Sequence, residues 1–149
     1  MKFDLHIHSI ASRYKEPDGI VDNSTVENVE VLLENLDKNQ VGLFSITDHN
    51  RFNVKLYTKL DSVIKSGKYK NVKGIVAGVE FDVQIDSDMG KCHIITIFDA
   101  KNKENNYKKI KECIDENGKL LENLDENIYS KKLKELVNAT KNLNICAKS

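Results

Sequence analysis

The sequence predicts an α/β fold with parallel strands and flanking helices. Two observations carry that expectation. Short, mostly apolar runs at 2–8, 41–47 and 74–80 have the length of strands, and the segments between them place apolar residues at helical spacing. Strand, helix, strand, helix, strand is the order of right-handed crossover units, whose chemistry gathers at the carboxyl ends of the strands. At 149 residues the chain is long enough for one hydrophobic core and short for two, so residues 1–149 are expected to form one domain.

In the first strand Phe3, Leu5 and Ile7 alternate with Asp4, His6 and His8. A period of two sends the sets to opposite faces, one expected in the core and one polar. Residues 10–23 hold the only proline and a Pro-Asp-Gly turn signal, which reads as a long loop. Ser24 with Glu27 has the capping-box pattern, and Val26, Val29, Leu33 and Leu36 continue a helix expected to end near Asn39.

The run VGLFSIT at 41–47 suits a buried parallel strand and stops in Asp48-His49-Asn50. A second helix is expected over about 53–66, with Val54, Tyr57, Leu60 and Ile64 on one side and Gly67 as its stop. GIVAGVE at 74–80 reads as one strand ending in Glu80, residues 84–91 as a turn, and CHIITIF at 92–98 as a fourth strand. Beyond 101 the pattern predicts helices at about 104–116 and 127–139 and a short apolar piece at NLNICA.

Composition narrows the function. Lysine plus arginine equals aspartate plus glutamate at 23 each, so attraction by the whole protein does not bring a polyanion to it. Only Arg13 and Arg51 are arginines, which leaves few side chains for bidentate phosphate recognition. Cys92, Cys113 and Cys146 form no CxxC pair and read as core thiols of a reducing compartment. With no membrane span and a strand pattern at the N-terminus, the expected location is the cytoplasm, without membrane contact.

The chemistry lies in the histidines. His6 and His8, two apart on a strand and roughly 6–7 Å apart at Cα, point to the same side and can converge on one ion. His49 and Glu80 end predicted strands and His93 begins one, so all four histidines fall in or at the ends of strands. Mixed imidazole and carboxylate donors suit Zn²⁺, Mn²⁺ or Fe²⁺, and a carboxylate such as Glu80 can bridge two ions. Two ions can hold a phosphate ester, activate water and take up charge on the leaving oxygen. Asp4 and Asp48 are candidates to orient the ligand histidines, and Arg13 to contact the phosphate. A metal-binding module without turnover is the alternative.

DLHIHS at 4–9, TDH at 47–49, GVE at 78–80 and His93 together resemble the motifs of the PHP (polymerase and histidinol phosphatase) family. The resemblance implies a metal-dependent phosphoesterase on a distorted barrel related to the TIM barrel, here a partial one. It implies His6 and His8 on a first metal, Glu80 bridging to a second with His93, and His49 serving a third. Two or three Mn, Zn or Fe ions are thus expected. Asp18, in Pro17-Asp18-Gly19, is the nearest counterpart of a further family ligand.

Two family features are missing. Ala147-Lys148-Ser149 stands where an Ala-His-Pro is usual, and no late Asp-x-His occurs. An incomplete C-terminal wall is therefore expected, completed by self-association or by absent sequence. GVEFDV and HIITIFDA look most like PHP domains at the head of large P-loop ATPases, which adds a C-terminal ATPase portion to the expected partners and a nuclease to the expected activities. A phosphate-ester substrate, with nucleic acid among the candidates, completes the expectation.

Overall fold

The alternation of apolar runs places β1 (Lys2–Ile7), β2 (Val41–Ile46) and β3 (Gly74–Ile75) side by side in the order β1-β2-β3, all parallel. The computed structural model of the protein describes residues 1–13, 15, 24–84, 91–98, 106–112, 114 and 147–148. Asp18, Cys113, Cys146, most of the 84–91 turn and the helix expected at 127–139 lie outside these.

Between the strands, α1 (Val29–Lys38) and α2 (Val54–Lys65) make the crossovers. Helix α1 begins later than expected. Its N-cap is Asn28, whose side chain makes no capping bond, and Ser24 is buried ahead of the helix, so the expected capping box does not form. Helix α2 starts where expected: the Asn53 side chain accepts from the Leu56 N–H at 3.1 Å. It stops at Gly67, which takes φ +75°, a conformation glycine adopts without a Cβ penalty.

The expected barrel does not form. GIVAGVE is two strands, because Val76 separates β3 from β4 (Ala77–Gln84), which belongs to a second sheet. β4 pairs antiparallel with β5 (Lys91–Phe98) in continuous register from Ala77↔Phe98 to Gln84↔Lys91, and the two-residue β6 (Ala147–Lys148) adds to β5. A TIM-like barrel needs each strand to return parallel through a crossover of a dozen or more residues, whereas a hairpin turns the chain back at once. The described residues therefore form two small open sheets with flanking helices, and no barrel closes.

Tyr57 sits where the two sheets part. Its hydroxyl accepts from the Ile46 N–H at 3.1 Å and the Gly78 N–H at 3.0 Å and donates to the Ile46 carbonyl at 2.5 Å, replacing ladder bonds that β2 and β4 do not make directly. Burial pushes its phenol well above the usual tyrosine range. Gly78 lets this junction close, since a Cβ there would lie 2.3 Å from Ser45 Oγ.

The core lies between the sheets and helices. It joins Leu33 and Leu36 of α1, Leu56 and Leu60 of α2, Phe44, Ile46, Val79 and Phe81. A third helix, α3, helical over 106–112 and at 114, adds Tyr107, Ile110 and Ile114. Phe52 stacks on Tyr57 at 4.4 Å between ring centroids and Tyr107 tilts against both. β1, an edge strand of its sheet, departs from the expected core face, with Phe3 60% and Leu5 38% exposed. Among the described residues no helix is long and apolar enough to cross a membrane.

Candidate metal centre

Parallel pairing of β1 with β2 brings the end of one strand beside the end of the other, through Ile7↔Ile46 and the Thr47 N–H to Ile7 carbonyl bond of 2.8 Å. Beyond Ile46 the chain crosses to the second sheet. His49 bridges to Glu80, the Asn50 N–H donates to the Glu80 carbonyl at 2.8 Å, and the Glu80 N–H donates to the Asp48 carbonyl at 3.3 Å. The hairpin then carries His93 back opposite Asp82. All four histidines end in one row, with ring centroids 4.9 Å apart from His6 to His8, 4.6 Å from His8 to His49 and 5.0 Å from His49 to His93.

Glu80, 1% exposed, lies under the row. Its Oε2 is 2.7 Å from the Nε2 of both His6 and His8, and those two nitrogens are 3.2 Å apart. Its Oε1 contacts His93 Nδ1 and is 3.9 Å from His49 Nδ1. Burial pushes the Glu80 carboxyl up, but hydrogen bonds from His8 and His6 and the nearby His49 outweigh it and hold the group below the usual carboxylate range.

Two clusters result, His6-His8-Glu80 and His49-Glu80-His93, each with its ligand atoms within 4.8 Å of one another, and each capable of holding a metal ion. Two imidazoles and a carboxylate give each cluster a mixed donor set suited to a divalent ion. In the first, the 3.2 Å between His6 Nε2 and His8 Nε2 is close to the spacing of about 3.3 Å between ligands of a tetrahedral ion with bonds of about 2.0–2.1 Å. Such an ion would replace the hydrogen bonds these nitrogens make to Glu80. His6 and His93 are 53% and 52% exposed at their side chains, so both clusters open to solvent at one end.

No family model matches this chain, and no curated protein matches it. The open two-sheet fold overturns the PHP assignment, the nuclease that came with it and the placement at the head of an ATPase. What remains of the resemblance is two clusters of residues able to hold a metal ion, brought together on a different frame.

Asp48 and Arg13 stand apart from the clusters. The buried Asp48 carboxylate accepts from the Ser9 N–H at 2.7 Å, the Ser9 hydroxyl at 2.6 Å and the Ser12 hydroxyl at 2.8 Å. It ties the 3-10 turn Ile10–Ser12 to the end of β2, while the Ser12 hydroxyl also accepts from the His49 N–H at 3.0 Å. Arg13 follows that turn and is exposed. Asp4 accepts locally from the His6 N–H at 3.2 Å.

Sequence reasoning passed over Asp82, Ser9 and Ser12. Asp82 Oδ2 accepts from the Asn50 amide at 2.7 Å and pairs with Lys15, whereas its buried Oδ1 accepts no hydrogen bond and lies 3.3 Å from His49 Nδ1 and 3.2 Å from His93 Nε2. The alternation that singled out His6 and His8 applies equally to Glu80 and Asp82. At His93, whose Nδ1 meets Glu80, a carboxylate at Nε2 fixes which ring nitrogen faces the ion, whereas at His49 Asp82 and Glu80 face the same nitrogen. Asp82→Asn is therefore expected to weaken the His49-Glu80-His93 site by about 10–100-fold and to leave the His6-His8-Glu80 site within about threefold, read by calorimetric titration of the chelated protein with Zn²⁺.

Proposed function

We propose that the protein is a divalent-metal-dependent phosphoesterase that hydrolyses its substrate with a metal-activated water. The observation that carries this reading is the sharing of Glu80: its two oxygens face two different histidine clusters, which is the donor arrangement of a paired-ion site. Bound there, Mn²⁺, Zn²⁺ or Fe²⁺ would polarise the phosphoryl oxygens and supply a nucleophile near neutral pH.

The chain's own residues set up that chemistry. His6, His8 and Glu80 would hold one ion and His49, Glu80 and His93 the other. Asp82 would hold His93 in the required orientation through the ring nitrogen turned away from Glu80. Asp48, saturated by Ser9 and Ser12, would fix the turn that carries Arg13, whose guanidinium would meet the substrate phosphate. The exposed ends at His6 and His93 leave the water and substrate a way in.

The test is hydrolysis of p-nitrophenyl phosphate and bis-p-nitrophenyl phosphate by metal-loaded protein. Turnover is expected to require the metal and to fall at least about a hundredfold in His8→Ala, because loss of one ion removes several kcal/mol of transition-state charge stabilisation. Two tightly bound ions with no hydrolysis of either ester would instead make the centre a metal-binding module.

A further inference from the structure

The lysine and arginine content balances the acids over the whole chain, but not in the lining of one cleft of about 770 Å³, where four cationic side chains, Arg51, Lys55, Lys108 and Lys111, stand against one carboxylate, Glu112. Its volume falls within the range of about 300–1,000 Å³ typical of sites for small organic ligands.

The cleft is tied to the metal centre through chain neighbours of the ligand residues. Ala11 lies in the turn whose flanking Ser9 and Ser12 hold Asp48, and Arg51 follows Asn50, whose amide is bonded to Asp82. Arg51 Nη1 donates to the Ala11 carbonyl at 3.5 Å, joining the two walls. From the far side α3 presents Lys108 and Lys111, three apart and so on one helix face. Phe52, held by its stack on Tyr57, adds an apolar surface to the lining.

Resting on the phosphoesterase reading, we propose that this cleft receives a second phosphoryl group, so that the substrates are small organic molecules carrying two phosphates. One phosphate lies at the metal centre and the other among Arg51, Lys55, Lys108 and Lys111, with the organic body against Phe52. Sugar bisphosphates and nucleoside diphosphates share this chemistry. A long polyanion fits less well, because a chain of zero net charge offers it no attraction as a whole.

The test is calorimetric titration of the full chain, metal-loaded and chelated, with glucose 1,6-bisphosphate against glucose 6-phosphate and with ADP against AMP. Charge-assisted bonds to the second phosphate should give a preference of at least about tenfold for the doubly phosphorylated member. Whichever pair shows the preference identifies the organic body. In Lys108→Glu/Lys111→Glu, at two exposed positions, the preference should fall to within about twofold, with metal content unchanged. Lys38→Glu/Lys59→Glu, an equal charge change on exposed positions elsewhere, should keep it.

Equal affinity for the members of both pairs, or a preference that survives in Lys108→Glu/Lys111→Glu, overturns the proposal. If the protein binds no metal but the chelated chain still takes up glucose 1,6-bisphosphate or ADP through the two lysines, the cleft stands and the phosphoesterase reading falls.

Discussion

Replacing Glu80 with glutamine is expected to empty both metal clusters at once and to abolish stabilisation by metal. Glu80 is the only residue common to the two clusters, and its oxygens face them separately. A neutral amide offers one weakly donating oxygen in place of a charged bridge, so neither ion keeps its carboxylate. In the parent protein, free metal at a hundredfold over its dissociation constant should stabilise the fold by about 2.7 kcal/mol per independent site. For a chain of this size that corresponds to a rise in Tm of roughly 5–10 °C. Thermal denaturation with Zn²⁺ or with chelator, together with elemental analysis, reads both effects. Glu80→Gln should show less than about 2 °C of metal-dependent shift, whereas His6→Ala, at the exposed end of one cluster, should keep the ion of the other. A Glu80→Gln protein that still carries two ions would show that the clusters do not depend on a shared carboxylate.

Tyr57→Phe is expected to cost about 3 kcal/mol without any change in the metal ligands. Removing the hydroxyl leaves two buried backbone donors, the Ile46 and Gly78 N–H groups, without the acceptor they use, and each such loss costs about 1–3 kcal/mol. The ring itself remains, so the stack on Phe52 and the packing against Tyr107 persist, and the cost reports the hydroxyl alone. Urea unfolding should show a lower midpoint with an unchanged slope. Because Ile46 leads directly into Asp48 and His49, and Gly78 into Glu80, metal affinity should fall as well. A loss below about 0.5 kcal/mol would mean that the junction between the sheets finds other partners.

The residue types of the metal centre were legible because their signal is local. Alternation along a strand is enough to put His6 and His8 on one side, and a carboxylate or imidazole at the end of an apolar run marks where such strands expose chemistry. The same rule, taken two residues beyond Glu80, reaches Asp82. Helix α2 was legible too, since its apolar residues recur at helical spacing and Gly67 marks its end by capping chemistry that acts within one turn, while the Asn53 cap emerged from the structure. Helix α1 was less so: its N-terminus follows where the chain packs, and Ser24 is buried instead of capping.

By itself the sequence determined the two parallel crossovers, the four histidines and the acid they gather around, because periodicity, caps and strand ends depend on neighbours in the chain. The tertiary structure decided how those pieces close. Nothing local distinguishes a strand that continues through Val76 from one that changes sheet there, nor a fourth strand that returns parallel from one that folds back antiparallel. That choice rests on long-range pairing, on the close approach that Gly78 permits and on the bonds that Tyr57 supplies. It also decides the site. In a parallel arrangement His93, at the start of its strand, would lie at the opposite end from Glu80, and only the hairpin sets it against Asp82 and Glu80 to complete the second cluster.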